Sequence, residues 1–385
     1  AIADGPSILG YVQATAAEAG IDKHIRFGHR VTRAAWSSEQ ARWTVEAELP
    51  GGGTVTLTCN FLLMCSGYYR YDRGYRADLP GIGDFRGQVV HPQHWPAGLD
   101  FAGKRIVVIG SGATAVTLVP ALAETAEHVT MLQRSPTYVL AMPAEDGIAV
   151  RLRKVLGTRR GYAAARWKNV AVTTLIYKLS RRRPDMIRGW IRQMAVKQLP
   201  DGYDVDTHFK PSYNPWDQRL CLVPDGDLFK AIRAGRASVA TDRVKSFTER
   251  SVVLESGTEL AADIVVTATG LQLLAFGGAE LTVDGQPVRL PETMAYKGMM
   301  LSGVPTSRSP SATPTRPGRS RRTWSASSPA GCSGTWTAAA TTRACRSTTT
   351  RPSPRSRCST SRPATCSGPS TSSRGPARAP RGGWA

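Results

Sequence analysis

The residues of this chain best suited to chemistry lie in Gly110-Ser111-Gly112-Ala113-Thr114-Ala115, a GxGxxA turn directly behind the apolar run Ile106 to Ile109. Two glycines let a backbone turn tightly and come close to a pyrophosphate, and a small Ala lets the following helix lie against its strand. The helix start offers unpaired N–H groups and the positive end of a dipole to phosphate oxygens. Such a turn suits a dinucleotide. About 20 residues on, where an acid would hold the ribose hydroxyls of NAD, the chain has Gln133-Arg134-Ser135. A guanidinium beside a hydroxyl suits a 2′-phosphate, so the pattern favours NADPH over NADH.

Two further apolar runs end in small residues: FLLMCSG, from Phe61 to Gly67, and ADIVVTATG, from Ala262 to Gly270. Both read as buried strands. Their ends, Ser66-Gly67 and Thr269-Gly270, would let a cofactor or a crossing chain approach the backbone. An ordinary strand running into a turn is the alternative at each.

Around these groups the sequence predicts a helix with the stripe Ile8, Leu9, Tyr11 and Val12, stopping at Gly20. Strands follow over His24 to Trp36, Trp43 to Leu49 and Thr54 to Met64. Behind the glycine turn come a helix from Ala115 to Ala126 and a strand from His128 to Leu132. Residues 145–200 are helical in pattern and strongly basic, with Arg181-Arg182-Arg183 and an apolar stripe at Val172, Leu175, Ile176 and Leu179. That composition suits a cap over a site, a peripheral contact with an anionic membrane, or a solvated basic face. From Tyr213 to Ile232 turn residues alternate with aromatics, and Val239 to Leu260 reads as an antiparallel meander around Ser256-Gly257.

A chain of 385 residues, 41% hydrophobic, has room for two cores. Its net charge of +21 first suggests a nucleic acid or a membrane surface as partner. The charge is unevenly spread: from Thr306 to Ala385 there are 14 Arg and no Lys, Asp or Glu, which leaves +7 for the rest. None of the seven cysteines forms a CxxC pair, so neither a zinc ribbon nor a redox dithiol is indicated. His91 and His94 stand three apart without a third ligand, so no metal site is read. With no signal peptide and no apolar run of membrane-spanning length, the expected location is the cytoplasm.

The texture changes within a residue or two of Thr306, where Ser, Thr, Arg and Pro take over. Such a composition reads as a disordered basic tail. Codon arithmetic gives a sharper expectation. If one base is lost near Pro305, a Ser encoded TCN restores to Phe, Leu, Ile or Val, Thr restores to Tyr, His, Asn or Asp, and the missing acids return. Residues 306–385 are then an out-of-frame translation with no evolved fold, which resequencing around the codon for Pro305 would decide.

The stretch FRGQVVHPQHWP fits FxGxxxHxxxWP, with Phe85, Gly87, His91, Trp95 and Pro96 in place just before the glycine turn. This resembles the class B flavin monooxygenases of the Baeyer-Villiger type, as do MLQRSPTY, YNPWDQRLCLVP and MAYKGMMLSG. The resemblance runs to about Pro305. It implies an α/β flavoprotein with two dinucleotide-binding domains: an FAD domain over 1–100 that returns over 271–305, and a Rossmann-like NADPH domain inserted at 101–270. It also implies FAD and NADPH as cofactors and oxygen transfer from a C4a-peroxyflavin to a ketone or to sulfur, with O2 and a small-molecule substrate as partners and no nucleic acid. Arg219, in WDQRL, matches the active-site arginine of that family, a fixed cation suited to an anionic flavin adduct and to the nicotinamide. His91 matches the motif histidine, whose expected part is to orient the linker, with a packed structural His as the alternative. The FAD fingerprint of the family, a first GxGxxG followed by an acid, has no match here, so the chain is expected to be a fragment with an incomplete FAD domain that purifies without colour. An NADPH-dependent disulfide reductase would need a cysteine pair, and a non-enzymatic basic binding protein rests on the charge of the tail.

Overall fold

The computed structural model describes residues 4–218 and 220–308. An amphipathic pattern becomes helix α1 (Gly5–Glu18), capped by the Asp4 carboxylate on the Ser7 N–H and ended before Gly20, whose φ of +63° stops it. Its apolar stripe is exposed, and among the described residues α1 buries no side chain.

A first sheet follows from β1 (Arg30–Ser37), β2 (Arg42–Glu48) and β3 (Thr54–Cys59), antiparallel neighbours in register from Trp36 opposite Trp43. Alternate residues point inward, so Ala34, Trp36, Trp43 and Val45 form a core in which the two indole rings tilt against each other at 5.6 Å. The strand expected from His24 begins only at Arg30. Residues Asp22–His24 form a 3-10 turn, and Gly28, at φ +70°, redirects the chain before the ladder begins.

The run from Phe61 to Gly67 is not the buried strand expected of it. Only β4 (Leu62–Leu63) is extended, and Phe61 and Leu63 are exposed. Among the described residues its single strand partner is Ser307–Arg308, in parallel; Leu62 and Met64 pack half-buried against the first core, and the opposite face of the run is exposed. Of the stretch expected to be out of frame, residues 306–308 are described. Leu62 N–H donates to the Thr306 carbonyl, the Trp43 indole donates to Thr306 Oγ1, and Ser307 is buried. The remainder of the 306–385 expectation lies outside the described residues.

A second, wholly parallel sheet contains β5 (Gln88–Val90), β6 (Arg105–Ile109) and β7 (His128–Gln133), with helix α2 (Ala113–Leu122) as the crossover between the last two. Next come β8 (Tyr138–Met142), α3 (Gly147–Arg182), α4 (Pro184–Val196), α5 (Val205–Phe209), β9 (Leu220–Pro224) and α6 (Asp227–Arg233). The chain re-enters the sheet as β10 (Ala237–Thr241), leaves it for β11 (Val244–Phe247), β12 (Ser251–Leu254) and β13 (Glu259–Ala261), and returns as β14 (Ile264–Thr267). The order across the sheet is β10-β7-β6-β14-β5. The meander expected over Val239 to Leu260 is therefore shorter: Val239 belongs to a parallel strand beside Met131, and only β11, β12 and β13 are antiparallel. Alternation cannot distinguish the two pairings, because both have period two.

Both faces of the parallel sheet are covered, which is why β6 and β14 read as unbroken apolar runs. Ile106, Val108, Met131 and Val266 meet α2 and α6 on one face, through Val116, Val119, Leu228 and Phe229. On the other, Val107, Ile109, Leu132 and Val265 meet Phe85 and the small antiparallel sheet, through Phe247, Val252 and Leu254. Each fully buried Val, Leu or Ile contributes roughly 1.5–3 kcal/mol, so the central strands anchor whatever their ends present. The strand β15 (Glu280–Val283) then rejoins the first sheet parallel to β1.

Candidate functional site

The strands of the second sheet all run the same way, so their carboxyl ends share one edge, the edge at which open α/β sheets bind ligands. His91 follows β5, the glycine turn follows β6, Arg134-Ser135 follows β7 and Thr269-Gly270 lies just beyond β14.

Gly110 has φ +138° and donates its N–H to the Leu132 carbonyl at 2.8 Å. A Cβ placed on it would stand 2.4 Å from the carbonyl oxygen of Ala268. The turn after β6 and the turn after β14 thus touch backbone to backbone, and only glycine fits in both conformation and space. Gly112 is the N-cap of α2 and supplies no capping side chain, so the first N–H groups of the helix stay open to a ligand. Ala113 and Thr114 are exposed there, while Ala115 is fully buried where the helix meets the sheet. Beneath the turn, Ser111 Oγ shares a hydrogen bond with Thr137 Oγ1 at 2.8 Å, and the buried Cys221 thiol reaches the Ser111 carbonyl at 3.8 Å.

Arg134 and Ser135 are exposed at the adjoining strand end. The residue before them is not: Gln133 is buried, and its amide donates to the His208 carbonyl at 2.7 Å and to Thr241 Oγ1 at 2.8 Å. His208 Nδ1 meets the same hydroxyl at 2.8 Å, and burial lowers the pKa of its ring. The backbone that launches Arg134 is therefore fixed while its guanidinium is free to meet an anion.

His91 ties this edge to loop 68–74. Its Nδ1 accepts the Gln93 N–H at 3.2 Å and its Nε2 faces the Gly270 carbonyl at 3.3 Å. One partner only donates and the other only accepts, so the ring is the Nε2–H tautomer and neither nitrogen is left for a metal. The ring also packs on Gly74, where a Cβ would come within 2.1 Å of it. Gln93 Nε2 donates to the carbonyls of Arg70 at 2.6 Å and Tyr71 at 3.1 Å. Loop 68–74 is bound in turn to the segment after Gly270, by Arg70 N–H to the Gln272 carbonyl and Leu274 N–H to the Tyr68 carbonyl.

The other motif residues are structural. Phe85 is buried edge-on to Phe247 at 6.2 Å, and a Cβ on Gly87 would lie 2.4 Å from the Asp263 carbonyl oxygen. Trp95 packs edge-on to Phe101 at 6.4 Å beside the helical core, and the Pro96 carbonyl accepts the Leu99 N–H to close the turn that follows.

The expected residues are brought together unequally. Gly110 to Ala115, Arg134, Ser135, His91, Thr269 and Gly270 share the edge. Ser66 and Gly67 are exposed, and it is the segment after them that reaches it. Arg219 lies outside the described residues; Leu220 after it pairs with Tyr138. Sequence reasoning missed Gln93, Thr137, Thr241 and His208, polar groups whose partners are distant in the chain and which leave no periodic signal.

A dinucleotide fits this edge on three observations: the glycine cradle against Ala268, the uncapped start of α2, and Thr269 Oγ1, which is buried with no hydrogen-bond partner among the described residues.

The comparisons with known proteins agree with the geometry. Residues 3–283 match the family model described as flavin-binding monooxygenase-like. The chain belongs to that family. It is 56% identical over 305 residues to the FAD-containing monooxygenase EthA of Mycolicibacterium smegmatis, covering 79% of this chain and 62% of the relative. It is 48% identical over 309 residues to the putative FAD-containing monooxygenase MymA of Mycobacterium tuberculosis, with the same coverage. The chain thus spans about three fifths of the length of these curated relatives. Among solved structures, oxidized steroid monooxygenase bound to NADP is similar at TM-score 0.61 and 20% identity, over 80% of this chain and 66% of that one. Polycyclic ketone monooxygenase from Thermothelomyces thermophila is similar at TM-score 0.63 and 18% identity, over 80% and 59%. The fold of this family member is that of two-domain flavoprotein monooxygenases.

Proposed function

We propose that the chain serves an NADPH- and FAD-dependent monooxygenase that places one oxygen of O2 beside a ketone carbonyl or on the sulfur of a thioether or thioamide. The observation that carries this reading is the convergence of the glycine turn, Arg134 and the Thr269-Gly270 end on one edge of a parallel sheet, bracketed by the His91 motif. In this reading residues 101–270 form the NADPH domain, and 1–100 with 271–305 contribute to the FAD domain. The pyrophosphate of NADPH lies over Gly110 to Ala115, and Arg134 with Ser135 takes its 2′-phosphate. Ser66, Gly67, Thr269 and Gly270 let FAD approach the two crossing segments, and Arg219 provides the fixed cation near the reacting rings. When bound, NADPH supplies a hydride and FAD the ring that activates O2. His91 holds the crossing segments in place and moves no proton, since both its ring nitrogens are engaged. A peripheral contact of the basic insertion, 145–200, with a membrane surface belongs to the same reading.

The test is NADPH oxidation by the protein supplied with FAD, with and without a ketone or thioether, under isotope-labelled O2. The expected result is substrate-dependent NADPH consumption and one labelled oxygen in the product by mass spectrometry. Consumption of NADH in preference to NADPH, or a product without label, would sink the reading.

A further inference from the structure

The long helix α3 is a hairpin. Gly157, at φ +73° and ψ +173°, breaks it, and the segments on either side fold back on each other. The contact is close: a Cβ on the buried Gly161 would stand 2.6 Å from the Cα of Arg153. At the open end, Asp146 caps the first segment through the Ala149 N–H and takes Lys168 Nζ of the second at 2.5 Å. The tip is therefore held by packing and by an ion pair, and it projects: a Cβ on Gly157 would meet nothing within 4 Å, and every residue from Arg153 to Arg160 is exposed.

We propose that this tip, Val155 and Leu156 with the cations around them, docks on an anionic phospholipid bilayer. The inference rests on the membrane contact of the proposed function and narrows it to one element and one lipid charge. From Gly147 to Pro184 the sequence has 11 Lys and Arg and no Asp or Glu. Lys168 is paired with Asp146 and Arg181 with Asp217. Arg151, Arg153, Lys154, Arg159 and Arg160 lie within five residues of Leu156 and are all exposed. Val155 is 81% exposed, and Trp167 on the second segment 70%. A polyanion such as a nucleic acid would use the cations and leave the Val-Leu pair in water. A bilayer uses both: each cation near an anionic surface strengthens binding about fivefold, and apolar side chains bury at the boundary between headgroups and acyl chains. Among the described residues no helix is long and apolar enough to cross a membrane, so the contact is peripheral.

The experiment is cosedimentation of the full chain with vesicles of phosphatidylcholine plus phosphatidylglycerol, against phosphatidylcholine alone. Binding is expected only to the anionic vesicles and is expected to weaken with salt. The double substitution V155S/L156S leaves the net charge unchanged, including that of the arginine-rich C-terminal stretch. It should lower partitioning about tenfold, the worth of one buried aliphatic side chain. R159Q/R160Q should lower it about thirtyfold at low salt, with far-UV circular dichroism and NADPH binding unchanged in both variants. No binding to anionic vesicles would overturn the membrane contact as a whole. Binding that V155S/L156S leaves intact would overturn the tip assignment alone. Displacement of the vesicles by duplex DNA, with DNA binding indifferent to V155S/L156S, would make this a nucleic-acid surface and overturn the proposal.

Discussion

Replacing Arg134 by Ala tests the cofactor reading at its most specific residue. The side chain is exposed, so its attraction to a phosphate is screened. Two unit charges 4 Å apart in water interact by about 1 kcal/mol, and a 2′-phosphate near its dianionic form doubles that. A loss of about 2 kcal/mol is about thirtyfold in Kd. The backbone should not relax to compensate, because Gln133 is fixed to the His208 carbonyl and to Thr241 Oγ1. Isothermal titration of the protein with NADPH and with NADH gives the answer as a ratio. R134A should raise the Kd of NADPH about thirtyfold and leave that of NADH unchanged. The deficit should shrink as salt rises, since the lost term is a screened ion pair. R134K should fall between, because an ammonium keeps the charge and loses the fork. Equal losses for the two cofactors, or no loss for either, would refute the assignment of this strand end to the 2′-phosphate.

Gly110→Ala should abolish NADPH binding and lower the melting temperature, because its Cβ would press to 2.4 Å from the Ala268 carbonyl at a φ of +138°; retained binding by titration would contradict the cradle. Gly87→Ala, with a Cβ 2.4 Å from the Asp263 carbonyl, should destabilise the fold by about 2–4 kcal/mol, read as a lowered midpoint in urea. His91→Ala removes the bond to the Gly270 carbonyl and uncovers Gly74. It should open loop 68–74 to trypsin at Arg70 and Arg73, and cleavage no faster than in the unaltered protein would count against the bracket. His208, its pKa lowered by burial, takes up a proton less readily in the fold than in the unfolded chain. The unfolded chain then binds the extra proton as pH falls through about 6.5, so stability present at neutral pH declines below it. Melting curves from pH 7.5 to 5.5 should show a decline that H208Q reduces.

What the sequence disclosed is what local sterics dictate. The glycine turn is legible because φ and backbone clearance at Gly110 are properties of a few adjacent residues, and β14 because four buried positions in a row leave no other reading. Arg134 was legible as a missing acid. By contrast, the exposure of Phe61 and Leu63 depends on which strands lie beside them, and that run is as apolar as β14. The parallel pairing of Val239 with Met131 joins strands whose spacing in the chain carries no signal. The hairpin in α3 turns on one Gly inside a helical pattern, which composition alone passes over. The clamp of Gln93 on two carbonyls is a tertiary fact about a variable position in a fixed motif.

The motif between Phe85 and Pro96 is more telling than the glycine turn for a reason the geometry makes concrete. A GxGxxA turn satisfies one requirement, a backbone near a phosphate, and many unrelated sheets meet it. The motif meets several at once over a dozen residues. Phe85 fills the core beneath the sheet, Gly87 admits the Asp263 carbonyl, His91 spans from Gly74 to Gly270, and Trp95 closes the helical side. Gly87 lets β5 close on β14 within the sheet and the other contacts reach outward from it, so the stretch works as a clasp between the two crossing segments. A histidine engaged at both ring nitrogens is poorly placed to shuttle protons and well placed to set the distance between two sites. In the proposed function that distance matters, because a hydride would pass from a cofactor on one domain to a ring held by the other.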